Sequence, residues 1–201
     1  MMRLRALALV SLIPVGTGCL SHHEYRQVYT LDAAIETRTP AGAVAERPVM
    51  QLQRVLVPDY LDTTDIVLRT GTHEIRESTT GRFAERLSLG IARALRADLA
   101  SQLPQYTIAL AQSGIRTNRL LLVNVDTFDV WPTGRCVLIA DWTLTDADRR
   151  VSLAADRGTF TSGAAGVNPG DGAVVSAMAD AVRQLAESIA STAGAVQPIS
   201  P

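Results

Sequence analysis

The hydrophobic period of this chain changes partway along, and that change restricts the folds open to it. Up to about Glu77 the apolar residues alternate or gather in short runs. From Phe83 they recur every four residues, as Phe83, Leu87, Ile91, Leu95, Leu99 and Leu103. Alternation sends side chains to opposite faces of a strand, whereas a four-residue recurrence stacks them on one face of a helix. Arg86, Arg93, Arg96 and Asp98 fall between the apolar positions, so the segment reads as an amphipathic helix laid on a sheet. Thr79 or Thr80 is placed to cap its start, Glu85 falls in its first turn and Pro104 stops it. The same spacing returns in Val174, Val175, Met178, Val182, Leu185 and Ile189, which mark a second helix.

Strand signals occupy the rest. Val28–Ala33 and Val49–Val57 read as strands, separated by a Thr-, Pro-, Ala- and Gly-rich loop over 36–47. Pro58 breaks the second. Asp65–Arg69 is a short buried strand, and His73–Glu77 a short polar one suited to a sheet edge. Tyr106–Ala111 is another. In Arg119–Trp131, Leu121, Val123 and Val125 alternate with Asn124 and Asp126, and the apolar side then switches to Phe128 and Val130. A bulge at Asp126–Thr127 accounts for the switch. Pro132-Thr133-Gly134 turns the chain into Cys136–Thr145, and Val151–Thr161 completes a meander before a glycine-rich loop over 162–172. The expectation is a single α+β domain: a mixed, mostly antiparallel sheet covered on one face by two amphipathic helices.

Composition narrows the function. The formal net charge is −1 and aromatic residues make up 4% of the chain, which argues against a nucleic-acid surface. All 19 cationic residues are arginine, as codon usage in a GC-rich genome would produce. The N-terminus has the layout of a secretory leader. Arg3 and Arg5 precede an apolar run from Ala6 to Val15, too short to span a bilayer, and Gly16-Thr17-Gly18 supplies small residues before Cys19. This resembles a bacterial lipobox, with Gly16 where Leu is usual. The reading is a signal peptide over 1–18, lipidation of Cys19, a polar tether over 19–27, a domain over 28–194 and a disordered tail over 195–201. Each buried methylene of an acyl chain contributes about 0.8 kcal/mol, so several chains on one cysteine hold a protein at a membrane. Leu20, rather than the Asp that signals inner-membrane retention in enterobacteria, implies the outer membrane, periplasmic face.

No constellation of chemistry stands out. Gly-x-Ser-x-Gly, Walker and His-Glu-x-x-His patterns are absent. A Ser-His-Asp triad would have to use His73, which reads as solvated. Asp126, Asp129 and Asp141 could pair as in glycoside hydrolysis, but Asp126 and Asp141 alternate with core residues and so face solvent or an interface. His22 and His23 lie beside Cys19 without a fourth ligand, so no metal site is expected. Cys136, in an apolar run, reads as a buried inert thiol. The expectation is a protein without catalytic residues, metal or cofactor.

Three ordered motifs carry a family resemblance. They are Val55-Leu56-Val57-Pro58-Asp59-Tyr60-Leu61-Asp62, then Ile66-Val67-Leu68-Arg69, then Arg82-Phe83-Ala84-Glu85-Arg86-Leu87, with Tyr29-Thr30-Leu31 upstream. Together they resemble the ABC-type transport auxiliary lipoproteins, the PqiC-like family. That family has a strand ending in Pro-x-Tyr-Leu, a strand ending in Arg and an aromatic-Ala-Glu/Asp-x-Leu helix start; Phe83 stands where Trp is frequent. The resemblance implies a docking subunit that works with an inner-membrane ABC transporter and an MCE-domain (mammalian cell entry) protein. Such an assembly moves lipids or hydrophobic molecules across the envelope and supports its integrity, and the subunit can form homo-oligomers. Pro58, Tyr60, Leu61 and Arg69 are then candidates for a partner-facing surface, although Tyr60 and Leu61 could simply pack a turn and Arg69 could pair with Glu85 or Glu77. A second reading is an assembly or chaperone lipoprotein of another outer-membrane or secretion complex. A third is a periplasmic hydrolase using His73 or the strand aspartates.

Overall fold

The computed structural model describes residues 25–31, 47–111, 116–163 and 170–196. The leader, Cys19, His22 and His23, most of the 36–47 loop, the middle of the glycine-rich loop and the last five residues lie outside them. The chain runs β1 (Gln27–Tyr29), β2 (Val49–Leu52), β3 (Asp65–Arg69), β4 (Ile75–Phe83), α1 (Leu87–Gln102), β5 (Thr107–Leu110), β6 (Arg119–Val130), β7 (Arg135–Asp146), β8 (Ser152–Gly163) and α2 (Asp171–Ala195). The expected α+β domain with two amphipathic helices is what forms. Its strands divide into two sheets, β1-β4-β3 and β5-β2-β6-β7-β8. Pairing is mixed: β1 with β4 and β2 with both β5 and β6 are parallel, and the rest are antiparallel.

The larger sheet follows from alternation. On β6, Leu121, Val123 and Val125 are buried; Asp126 and Thr127 both point away; then Phe128 and Val130 are buried. The register shift with β7 falls between Val125 and Thr127, where the bulge was expected. Cys136, Leu138, Ala140, Trp142 and Leu144 line the inner side of β7. Both helices pack on this inner side, and α2 brings Val174, Met178, Ala181, Val182, Leu185 and Ile189 down onto β7 and β8. Ala177 and Ala181 let the backbones approach closely. Each fully buried Leu or Ile contributes about 1.5–3 kcal/mol. Gly158 is required by its neighbour: a Cβ there would come within 2.5 Å of the Phe160 ring, which lies tilted at 6.3 Å from Trp142.

The smaller sheet departs from the sequence reading in three respects. Of the expected His73–Glu77 edge strand, His73 and Glu74 lie in the β3–β4 turn and Ile75–Glu77 begin β4, which runs to Phe83 and lies in the middle of its sheet, between β1 and β3. Phe83 ends this strand and Thr79 and Thr80 lie within it, so neither threonine caps α1. The helix begins at Leu87, after Arg86, which gives no side-chain cap, and Glu85 precedes it. Finally, ordered pairing starts before Val28. Arg26 donates to the Asp65 carboxylate (2.7 Å) and to the carbonyls of Ser78 (2.8 Å) and Gly81 (2.9 Å), stitching β1 to β4 and β3.

Candidate docking surface

The Pro58–Asp62 motif forms a tight turn on the flank of β6. After β2 the chain stays beside β6: Leu56 N–H donates to the Val123 carbonyl (3.0 Å), and Val125 N–H to the Leu56 carbonyl (2.8 Å). The Pro58 carbonyl then accepts from the amides of Leu61 (2.9 Å) and Asp62 (3.2 Å), closing the turn, and Pro58, with no N–H to offer a neighbouring strand, ends the pairing with β6. Leu61 is buried and anchors the turn in the core, while Tyr60 stays 43% exposed. The Thr63 carbonyl accepts from Leu87 N–H (3.1 Å), so the motif leads directly into the start of α1.

Asp62 supplies the cap that α1 lacks in its own sequence. Its Oδ1 accepts from Ser88 N–H (3.2 Å) in the first helical turn, where unpaired amides and the positive end of the helix dipole favour a carboxylate. Its other oxygen lies 3.6 Å from Arg86 and 3.7 Å from Arg54. Burial alone would raise its pKa. The Ser88 hydroxyl and amide, then Arg86 and Arg54, outweigh that and hold it below the ordinary carboxylate value.

Arg69 ends β3 and pairs with Asp129 of β6, Nε to Oδ2 2.7 Å, not with Glu85 or Glu77 as expected. Both side chains are largely buried. Glu85 instead binds Arg93 at 2.9 Å. The Arg69 guanidinium also donates to the Thr72 carbonyl (3.1 Å) in the β3–β4 turn. Asp129 foremost, with a smaller contribution from Tyr60, raises the Arg69 pKa against the opposing effect of burial. Arg69 therefore fastens the small sheet to the large one and positions the ground on which Tyr60 stands.

The uncovered side of the large sheet completes the surface. The Leu56 bridge to Asn124 puts Leu56 diagonal to Leu122, and the two are 47% and 44% exposed. Farther along, Arg157 contacts Asp126 (2.6 Å) and Asp141 (3.9 Å), and Asn124 donates to both carboxylates. The three strand aspartates are thus each engaged by an arginine, Asp129 by Arg69 and the other two by Arg157. His73 is exposed in the β3–β4 turn. Cys136 is fully buried, and burial pushes its thiol pKa up to about 12, well away from nucleophilic chemistry at neutral pH. Among the described residues no three His, Cys, Asp or Glu side chains gather to hold a metal, and no helix is long and apolar enough to cross a membrane.

Of the residues singled out in the sequence, Pro58 and Tyr60 lie at the surface, whereas Leu61 and Arg69 hold the turn from beneath. Leu56 and Leu122 were overlooked. Their signal was a leucine at positions of β6 and its neighbour where the alternation called for a polar residue.

The chain matches the ABC-type transport auxiliary lipoprotein component family over residues 29–190. It belongs to that family. The match takes in this auxiliary lipoprotein component from β1 through most of α2, and so every residue of the surface just described. Two crystal structures share the fold. One is of an uncharacterized protein, 21% identical, with a TM-score of 0.68, covering 84% of this chain and 98% of the other. The other is protein XCC0632 from Xanthomonas campestris, of family DUF330, 13% identical, with a TM-score of 0.63, covering 82% and 92%. At these identities the likeness is one of fold. No curated protein matches the chain.

Proposed function

We propose that this auxiliary lipoprotein component is held by acyl chains on Cys19 at the periplasmic face of the outer membrane. There it serves as a non-enzymatic subunit of an MCE/ABC-type system that moves lipids or other hydrophobic molecules between the bacterial membranes and supports envelope integrity. The observation that carries this reading is the family match over 29–190, which begins ten residues after a lipobox-like Gly16-Thr17-Gly18-Cys19. The proposed division is a leader over 1–18, a tether over 19–27, a domain over 28–194 and a tail over 195–201. Pro58 and Tyr60, flanked by Leu56 and Leu122, form the partner-facing surface for the MCE-domain protein; Leu61 and Arg69 keep it in shape. A small apolar patch around an exposed aromatic ring is the usual centre of a docking site. A docking role also fits carboxylates that are engaged by arginine and a thiol that is buried.

The test combines anchoring and capture. Cys19→Ser is expected to release the protein from the membrane fraction and to abolish complementation of an envelope-sensitive deletion strain. Mild crosslinking of the wild type is expected to recover an MCE-domain protein. Full complementation by the unanchored form, or recovery of a secretin or β-barrel protein instead, overturns the reading.

A further inference from the structure

The point at which the chain enters the fold dictates which end of the domain lies near its anchor. Tyr25 is six residues after Cys19, and a fully extended chain covers at most about 3.6 Å per residue, so the Tyr25 backbone can lie no more than about 22 Å from that of Cys19. Arg26 then fastens the next residue to β3 and β4 by an ion pair and two carbonyl contacts. The molecule is longer than this tether: the twelve residues of β6 alone extend about 40 Å.

Several features meet at the Tyr25 end. Two shallow depressions, of about 340 and 320 Å³, share Thr80, Gly170 and Asp171 at the start of α2. Tyr25 borders the first, and Arg76 and Pro132 border the second. Pro132 belongs to the β6–β7 turn, which closes through Gly134 N–H to the Trp131 carbonyl (2.8 Å), with Gly134 at φ 80°. On that turn the Arg135 guanidinium sits 4.9 Å from the centre of the Trp131 ring. Tyr25 is 92% exposed, and Ile75, beside Arg76, is 41% exposed. The β7–β8 turn at the opposite end of β7, Ala147-Asp148-Arg149-Arg150, carries no ring.

Tyrosine and tryptophan, apolar in body and polar at the tip, favour the headgroup layer of a bilayer, and arginine can lay its stem along apolar surface with its charge in water. Resting on the lipid-anchor reading of Cys19, we propose that the end of the domain bearing Tyr25, Trp131 and the start of α2 sits on the surface of the phospholipid bilayer that holds the acyl chains, with both rings in its headgroup layer. Glu74 and Glu77 offset Arg76 at this end, so rings and tether length make the contact and a zwitterionic bilayer suffices.

The two tryptophans of the chain allow a clean test, because Trp142 is only 1% exposed. The acylated full-length mature protein is floated with phosphatidylcholine vesicles whose lipids do or do not carry bromine, a quencher, just below the headgroups. Vesicle-bound wild type is expected to lose emission in the brominated vesicles, and vesicle-bound Trp131→Phe is expected to keep its own. Bound wild type with unchanged emission overturns this proposal and leaves the anchor intact, as does equal quenching of the two proteins. Acylated protein that fails to float overturns the anchor reading, and the proposal with it.

Discussion

The two sheets of this domain are held together by different means. The five-stranded sheet is built on three consecutive long strands, β6 to β8, flanked by the short β2 and β5, and its inner side is hydrocarbon under two helices, with charges kept to its end (Arg119–Asp146, 2.6 Å) and outer side. The three-stranded sheet adds the three-residue β1, from far upstream, to the β3–β4 hairpin. Besides Ile66, Leu68 and Phe83, it depends on polar clasps: Arg26 on Asp65, Arg69 on Asp129, and Ser78 and Thr80 on Asp171 (2.8 and 2.6 Å). The small sheet carries the entry of the tether, and the docking turn lies at the seam, bonded to β6 of the large sheet and leading into β3 of the small one. The surface proposed to work thus straddles the boundary between a part held by directional, water-sensitive contacts and a part held by non-directional burial.

This contrast can be broken at its strong side first. Trp142→Ala removes the largest buried side chain under α2 and is expected to cost about 3–5 kcal/mol, read as a shift in the urea midpoint of the whole domain. A much smaller loss would mean that the large sheet is not the stabilising half. Next comes the seam. Arg69→Ala is expected to cost about 2 kcal/mol, because it strands a mostly sequestered Asp129. In a double-mutant cycle with Asp129→Ala the two losses should fall well short of adding; additive losses would remove the clasp from the account.

The smallest effect concerns Asp62 and pH. Its folded pKa lies below the ordinary value of 3.8, so the unfolded chain takes up the proton first as pH falls. The stability it contributes is therefore complete above about pH 4 and is lost as pH drops through the lower, folded value. Asp62→Asn, which keeps an acceptor for Ser88, is expected to cost under about 1 kcal/mol near neutrality and to flatten the acid limb of stability against pH. An unchanged acid limb in denaturant titrations from about pH 6 downward would show that Asp62 does not contribute to it.

What could be read from the sequence follows the same division. Strands β6 and β7, the bulge and the bodies of both helices could be read because each buries its own regular side, and the period of burial is written into consecutive residues; β8 could be read from its place after the β7 turn, since only Phe160 of it is buried. Strand β4 could not. Its buried positions include Ser78 and Gly81, which carry no hydrophobic signal. They are covered because Asp171 and Tyr29 arrive from elsewhere in the chain, so closely that a Cβ on Gly81 would come within 2.6 Å of the Asp171 carboxylate. The start of α1 was misplaced for a related reason. Phe83 stands four residues before Leu87 by coincidence of spacing, and the cap comes from Asp62 rather than from a residue next to the helix. The candidate motif was found, but its division into exposed Tyr60 and buried Leu61 depends on the turn geometry, and the partner of Arg69 lies sixty residues downstream.

The doubled outward step at Asp126 and Thr127 has a consequence for how this chain can vary. It acts as a phase shifter between two halves of one strand, each in register with the core only because one residue is left over. Everything downstream, from Phe128 through the Trp131 turn, inherits its orientation from that surplus. The bulge is therefore what the length of β6 requires: straightening the strand with every residue kept would send Asp129 inward and Phe128 out and uncouple the seam and the hairpin tip in one stroke, whereas deleting Asp126 or Thr127 would restore plain alternation with Phe128 still inward.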